Sequence, residues 1–208
     1  MRLMQRGDEF TILLSDAELM GTRVSASEQS LATMAQARLG ARAGAEWLIG
    51  GYGMGFTLRA ALACLPRDAV VTVAEIVPDI IRWARGPMQT LTAGCLDDPR
   101  VVVVDDDVAM LIGSAREAYD AILLDVDNGP EGLTCDDNDA LYHPKGIRAA
   151  LAALRPGGIL AVWSAWPDDG FALRLHDAGF EVDEEIVEEC ATGTGAKHVI
   201  WFARKPIA

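Results

Sequence analysis

The sequence predicts an α/β protein: a three-layer, seven-stranded, mostly parallel sheet with a terminal antiparallel strand pair, preceded by a small N-terminal hairpin. Three observations predict it. Short, near-continuous apolar runs alternate with segments of helical composition, the pattern of parallel strands buried on both faces. The last two apolar runs are joined only by a glycine-containing turn at 191–195, which gives the sheet an antiparallel finish. Between them and the N-terminus, WLIGGYGMGFTLR at 47–59 sets three alternate glycines between a strand-like and a helix-like run.

In chain order, residues 10–14 alternate as a strand, Ser15-Asp16 signals a turn and residues 18–23 supply a return strand. Residues 1–24 thus form a hairpin arm ahead of one domain at 25–208. Residues 27–43 are rich in Ala, Leu, Met, Gln and Arg and lack Pro, so they read as a helix capped by Ser25 or Ser27 and ended by Gly44. A buried strand at 47–50 runs through the glycine turn into a helix at 56–64. Residues 69–74 form a β-branched strand, and Pro78 suits the first turn of a helix reaching residue 91. Strands at 101–104 and 121–124 flank a short helix at 108–115. After a polar loop at 125–139, a helix at 144–154 is closed by Pro156-Gly157-Gly158. Strand 159–163, helix 169–178 and strands 180–187 and 198–203 complete the alternation.

With 208 residues, half of them hydrophobic, the chain supports one full core and leaves little room for a second large domain. Eighteen basic against 31 acidic residues give a net charge of −13, which argues against nucleic-acid binding through a basic surface and weakly favours cationic small molecules. No stretch approaches the roughly 18–20 apolar residues that span a bilayer, and MRLMQRGDEF lacks the apolar core of a signal peptide. No membrane association is expected, and the cytoplasm is the default location. Cys64, Cys95, Cys135 and Cys190 lack the close spacing of metal ligands, and His143, His176 and His198 make no ligand pattern, so no metal is expected. His176 and His198, in a distal helix and strand, read as structural.

Ligands of open α/β sheets sit beyond the carboxyl ends of the strands, so the residues just past each strand are the candidates. Gly51, Gly53 and Gly55 fall as G-x-G-x-G rather than the G-x-G-x-x-G of dinucleotide sites. Glycine tolerates positive φ and lets a ligand approach the main chain, which suits a nucleotide or nucleoside. Glu75 follows the second strand, where a carboxylate accepts both hydroxyls of a ribose; the plainer alternative is a solvated carboxylate at a helix start, worth only ~0.5 kcal/mol. Asp105, Asp106 and Asp107 follow the third and repel one another, so one of them needs a ligand, a main-chain donor or open water; an adenine amino group suits. Asp125 and Asp127 follow the fourth. Asp125, directly after AILL, is the candidate for chemistry, with a cap at the loop entrance as its alternative. An alkylammonium has no free lone pair at neutral pH, so a transferase acting on it needs anions to hold the cation and a base to take its proton. Trp163 and Trp166 would wall an apolar or cationic substrate.

Together these segments resemble the spermidine synthase family, the polyamine aminopropyltransferases, on the class I S-adenosylmethionine-dependent methyltransferase fold. GYGMGFTLR is similar to the family's GGGDGG-x-x-R loop, VTVAEI to V-x-x-x-E-I/L, LDDPRVVVVDDD to its D-P-R … D-D/G-D segment, and YDAILLDVDNGP to Y/F-D-x-I-x-x-D-S-S-D-P-x-G-P. The likeness implies a homodimeric transferase without metal, taking S-adenosylmethionine or decarboxylated S-adenosylmethionine as donor and a small, amine-containing molecule as acceptor. It places Gly51, Gly53 and Gly55 beneath the amino-acid side of the donor, Glu75 on its ribose, and Asp107 with its neighbour Asp106 on its adenine. Asp125 then orients and deprotonates the attacking amine, and Gln29 matches the glutamine of the family's Y-Q-E segment. For the homodimer, the arm offers edge strands and the apolar residues Leu3, Phe10, Ile12 and Leu14.

Three departures stand out. Met54 replaces the loop's second carboxylate, Glu28 replaces the tyrosine before the glutamine, and DVDNGP is a shortened form of the last segment. Glu28 and Asp127 are the candidates for replacement charge on the acceptor side, beside Trp163. Met54 would spare a donor that keeps its carboxylate from repulsion, so a small-molecule methyltransferase is the alternative function. A non-catalytic nucleoside-binding homolog is the third.

Overall fold

The computed structural model describes residues 1–15, 17–23, 25–126, 129–130, 139–189 and 195–207. At the N-terminus β1 (Arg2–Arg6), β2 (Glu9–Leu14) and β3 (Ala17–Gly21) form an antiparallel three-stranded sheet. The expected hairpin is its β2–β3 half; β1 is added by pairing Arg2–Arg6 against Leu13–Glu9. Phe10 and Ile12 are buried in the protein's own core, which leaves Met4 and Leu14 as the exposed apolar side chains of β1 and β2.

The second sheet joins β4 (Glu46–Gly50), β5 (Val70–Ala74), β6 (Val101–Val104), β7 (Tyr119–Leu124), β8 (Leu154–Ser164), β9 (Glu181–Glu188) and β10 (Lys197–Arg204) in the order β6-β5-β4-β7-β8-β10-β9. β4 to β8 run parallel, and β10 pairs antiparallel with both β8 and β9. This is the class I methyltransferase architecture that the sequence predicts.

Each central strand feeds two cores because successive side chains point to opposite faces. Trp47, Ile49, Ala121 and Leu123 pack on one side with Leu31, Leu58 and Ile80, from α1 (Ala26–Leu39), α2 (Phe56–Cys64) and α3 (Pro78–Arg85). Leu48, Ile122 and Leu124 pack on the other, against α5 (Val108–Ser114), α7 (Pro144–Ala153) and α8 (Asp169–Asp177). In α1 the buried Ser27, Leu31, Ala35 and Leu39 recur every four residues, a stripe that lies down on the core.

Several boundaries differ from the sequence reading. The helix expected over 78–91 is two, α3 and α4 (Gln89–Thr92), because Pro87 has no N–H to continue the ladder across Gly86. α1 stops at Leu39 rather than reaching Gly44; Gly40, at φ 75°, turns the chain. A one-turn helix, α6 (Asp139–Tyr142), precedes α7. Pro156-Gly157-Gly158 does not precede a strand but lies inside β8, where the Gly157 N–H donates to the Lys205 carbonyl and the Lys205 N–H to that of Gly158. Among the described residues no helix is long and apolar enough to cross a membrane.

At the amino-terminal edge of β7, opposite the site, Asp120 holds strands and loops together. It accepts from Arg42 at 2.8 Å, Arg155 at 2.6 Å and the Glu46 N–H at 2.9 Å. The acidic edge strand β9 is clamped by Arg38, which bridges Asp183 and Glu185.

Candidate functional site

Sheet order reverses between β4 and β7, since the chain leaves β4 toward β5 on one side and resumes at β7 on the other. A crevice opens at such a point beyond the carboxyl ends of the strands. Here it is a cavity of about 190 Å³ lined by residues that follow β4, β5, β6 and β7, by Glu28 of α1 and Trp163 of β8, and on its outer side by Leu19 and Met20 of the N-terminal sheet.

The GYGMG turn forms one wall. Gly51 has φ 83°, and a Cβ there would run into the Asp125 carbonyl oxygen, so only glycine lets the ends of β4 and β7 approach this closely. Gly55, at φ 76°, caps α2; a Cβ on it would lie 2.7 Å from the Tyr52 hydroxyl. Gly51 and Gly53 line the cavity, whereas Gly55 shapes the turn from behind.

Glu75 is 4 % exposed and spans the turn. Its Oε2 accepts the Tyr52 N–H at 2.9 Å and its Oε1 the Val77 N–H at 2.8 Å. Burial raises its pKa, and the N–H groups of Tyr52, Val77 and Gly53 oppose that rise. Each oxygen keeps a lone pair beyond these bonds, so the carboxylate can still accept from a ligand hydroxyl. Asp107 caps α5 through the Ala109 N–H at 2.8 Å, and Asp106 accepts the Asp107 N–H at 2.8 Å. Both reach the cavity wall. The three-aspartate run is thus relieved in part by main-chain donors.

Across the cavity Asp125 accepts the Thr57 hydroxyl at 2.6 Å. Its pKa is pushed up to about 7, first by burial and then by the charge of Glu28, against the Thr57 hydrogen bond. Two carboxyls facing one cavity cannot both ionise freely, so the pair holds a proton near neutrality or takes up a cation. Glu28 accepts the Ser27 hydroxyl at 2.7 Å, and Ser27 Oγ lies 3.0 Å from His198 Nδ1. His198 packs edge-on against Trp163, with centroids 4.8 Å apart. The indole N–H of Trp163, a residue only 9 % exposed, has no partner among the described residues.

The structure therefore gathers Glu28, Gly51, Gly53, Glu75, Asp106, Asp107, Asp125 and Trp163 around one cavity. Gln29 is exposed, and its amide donates to Ser25 Oγ at 2.8 Å; one helical step of about 100° turns it away while Glu28 faces inward. Asp127 lies outside the described residues. Thr57, Ser27 and His198 were missed: Thr57 read only as part of a helix start, and no local signal links Ser27 to a histidine 171 positions away. Met54 is buried and lines the cavity. Among the described residues no group of three or more His, Cys, Asp or Glu is placed to hold a metal.

No family model matches the chain. Its sequence is 32 % identical over 123 residues to the polyamine aminopropyltransferase of Mycobacterium tuberculosis, covering 58 % of this chain and 23 % of that protein. It is 40 % identical over 124 residues to polyamine aminopropyltransferase 1 of Streptomyces coelicolor, covering 58 % and 22 %. With putrescine N-methyltransferase 2 of Nicotiana tabacum it shares 34 % over 144 residues, 69 % of this chain and 36 % of the relative. The matched region thus spans well under half the length of these relatives. Among solved structures, the spermidine synthase from Thermotoga maritima superposes with a TM-score of 0.75 at 20 % identity, over 96 % of this chain and 66 % of that one. A spermidine synthase in complex with the transition-state analogue AdoDATO gives 0.75 at 18 %, over 100 % and 72 %. These superpositions establish the shared fold.

Proposed function

We propose that this protein is a transferase that takes S-adenosylmethionine or its decarboxylated form as donor and passes a group to a small acceptor bearing an amine. The observation that carries the proposal is the meeting of Asp125 and Glu28 across the same cavity that presents Gly51, Gly53 and Glu75. The glycine turn and Glu75 suit a nucleoside with a ribose; Asp106 and Asp107 offer acceptors for an adenine amino group. The donor supplies a carbon activated by its sulfonium.

The rest is work for the chain's own carboxyls. Glu28 and Asp125 attract the acceptor as an ammonium, and a carboxyl with a pKa about 7 accepts its proton without a large uphill step. The freed lone pair forms the new C–N bond as the C–S bond breaks, leaving a neutral thioether and a protonated carboxyl. Trp163 closes the apolar side of the acceptor and offers its unpartnered N–H.

Methyl transfer is the second reading, favoured by Met54. A buried thioether in the cavity wall puts no negative charge against a donor that retains its carboxylate. The similarity to an N-methyltransferase acting on putrescine supports it. Incubating each donor with a panel of diamines and other small amines, and identifying products by mass spectrometry, separates the readings. An aminopropylated product supports the first and a methylated one the second. Absence of product together with absence of donor binding rejects both; donor binding without product favours a non-catalytic nucleoside-binding homolog. We further propose a cytoplasmic homodimer formed through the N-terminal sheet, whose outer strands β1 and β3 are unpaired on one side among the described residues.

A further inference from the structure

Asp125 and Glu28 pose a problem that the cavity alone does not solve. Each turnover of an ammonium acceptor leaves one proton on this pair, and the cavity mouth is filled by ligands when that proton is released. A path that leads away from the cavity already exists in the fold. Glu28 Oε2 lies 2.7 Å from Ser27 Oγ, and Ser27 Oγ lies 3.0 Å from His198 Nδ1. Ser27 is fully buried, so no bulk water competes for its hydroxyl. The three groups come from two consecutive residues in the first turn of α1 and from β10, and Trp163 of β8 holds the imidazole edge-on from the cavity side.

We propose that Ser27 and His198 form a proton relay that takes the proton from the carboxyl pair while the ligands are bound, with His198 as its far end; the proposal rests on the amine-acceptor reading above. The hydroxyl has one hydrogen and two partners, which permits two arrangements. In one, protonated Glu28 donates to Ser27 and Ser27 donates to His198 Nδ1, the neutral ring carrying its hydrogen on Nε2. In the other, Nδ1–H donates to Ser27 and Ser27 donates to ionised Glu28. Passing from the first to the second moves two hydrogens by one bond each. Its net result is one proton transferred from Glu28 to the imidazole, which becomes imidazolium and returns to its starting Nε2–H tautomer by passing the Nδ1 proton back along the same path once the ligands leave and the cavity opens to water. No other reactant is consumed. A glutamine or methionine at either position would carry hydrogen bonds or packing but could not complete the cycle.

The charges around the imidazole fit this use. Burial between β10 and Trp163 lowers the His198 pKa, against the charges of Glu189, which follows β9, and of Glu28 from α1. The ring is therefore a transient proton holder rather than a permanent cation. Asp125 lies beyond Glu28 and communicates with it through charge. His198 and Ser27 touch no substrate in this scheme; they are positioning residues that act through Glu28.

Two measurements test the relay, one of them without any substrate. In the unliganded protein, nitrogen-15 NMR of the His198 ring should show a titration and tautomer that change in Ser27→Ala, which keeps both charges and removes only the hydroxyl between them; a His198 titration and tautomer unchanged in that variant overturn the relay. With an active donor and acceptor pair, Ser27→Ala and His198→Asn should each lower kcat at least roughly tenfold, below the ~10²–10⁴-fold attributed to a general base itself. Each should also displace the acid limb of the pH–rate profile while leaving donor affinity unchanged. Asn presents a donor where Nδ1 stands, so a purely structural role would be rescued by it. Wild-type kcat and pH profile in His198→Asn overturn the relay. If no amine is ever a substrate, the transferase reading fails, and the NMR arm still decides whether Glu28 and His198 exchange protons through Ser27.

Discussion

The Thr57 hydroxyl donates to Asp125 at 2.6 Å and so ties the first turn of α2 to the end of β7. Thr57 is 2 % exposed, and the hydrogen bond fixes one carboxyl oxygen, leaving the other for the cavity. Position and basicity of Asp125 are therefore set by different neighbours, Thr57 for the first, burial and Glu28 for the second.

Asp125→Asn preserves size and the Thr57 contact while removing the base. Turnover at saturating donor is expected to fall by ~10²–10⁴-fold, and the wild-type rate to rise with pH through about 7 as Asp125 ionises. A kcat within twofold of wild type would assign Asp125 to loop shape alone.

The same substitution has an opposite effect on stability. Because the folded pKa of Asp125 lies above the ordinary carboxylate value, the folded chain keeps a proton that the unfolded chain releases above pH about 4. The stability from that proton is complete below pH about 4 and is lost as pH climbs through about 7. Thermal unfolding at pH 5 and pH 8 should find Asp125→Asn gaining on wild type at the higher pH. An equal difference at both pH values contradicts this.

Glu75→Gln replaces one accepting oxygen with an NH₂ group. Tyr52 and Val77 each present an N–H to the carboxylate, so one of them would face a donor. A loss of ~1–3 kcal/mol in donor affinity is expected from calorimetry, with some loss of stability. Unchanged affinity would remove Glu75 from the nucleoside site.

Asp107 separates structure from recognition. As the N-cap of α5 it should lose ~0.5–2 kcal/mol of stability on change to Ala and almost none on change to Asn. Donor affinity should fall in both variants, because Asn cannot supply the same anionic acceptor to an amino group. Full affinity in Asp107→Asn would reduce Asp107 to a cap.

Asp120 is the control remote from the site. Burial would raise its pKa, but the Glu46 N–H and the Arg42 and Arg155 guanidiniums outweigh this and lower it. Its stabilisation is therefore present above the unfolded carboxylate value and lost as pH falls through the folded one. Asp120→Asn should cost ~1.5–3 kcal/mol in chemical denaturation near neutral pH and less in acid, without altering donor affinity. The N-terminal sheet offers a separate check: sedimentation over micromolar concentrations should find a dimer, and monomer throughout would reject that association.

Much of the fold was legible because its signals are local. Val101–Val104 is a run of four valines, and Tyr119–Leu124 a buried run ended by aspartate, so strand and candidate site residue were read together. β1 was not legible, since RLMQR has one partly buried side chain and reads as polar coil until β2 pairs with it. Pro87 separates α3 from α4 although the residues on both sides of it keep a helical pattern. In the site, Glu75, Asp107 and Asp125 each follow a strand, and their meeting follows from topology. The Ser27–His198 contact joins a helix start to the last strand, and only the antiparallel return of β10 beside β8 brings them together.

The tethering of the GYGMG turn from two sides sets the thermodynamics of whatever binds there. Glu75 grips the turn through its main chain and Gly51 lies against the Asp125 carbonyl, so the backbone is ordered before a ligand arrives. Fixing one flexible residue costs about 1–2 kcal/mol, and a loop that ordered only on contact would subtract that from affinity for every residue involved. Here the ordering is completed during folding, and the fold carries a desolvated Glu75 and a crowded carboxyl pair as the consequence. Hydroxyls relieve the first and a cation the second, each separately, so donor and amine together should raise the unfolding temperature by about the sum of their separate effects.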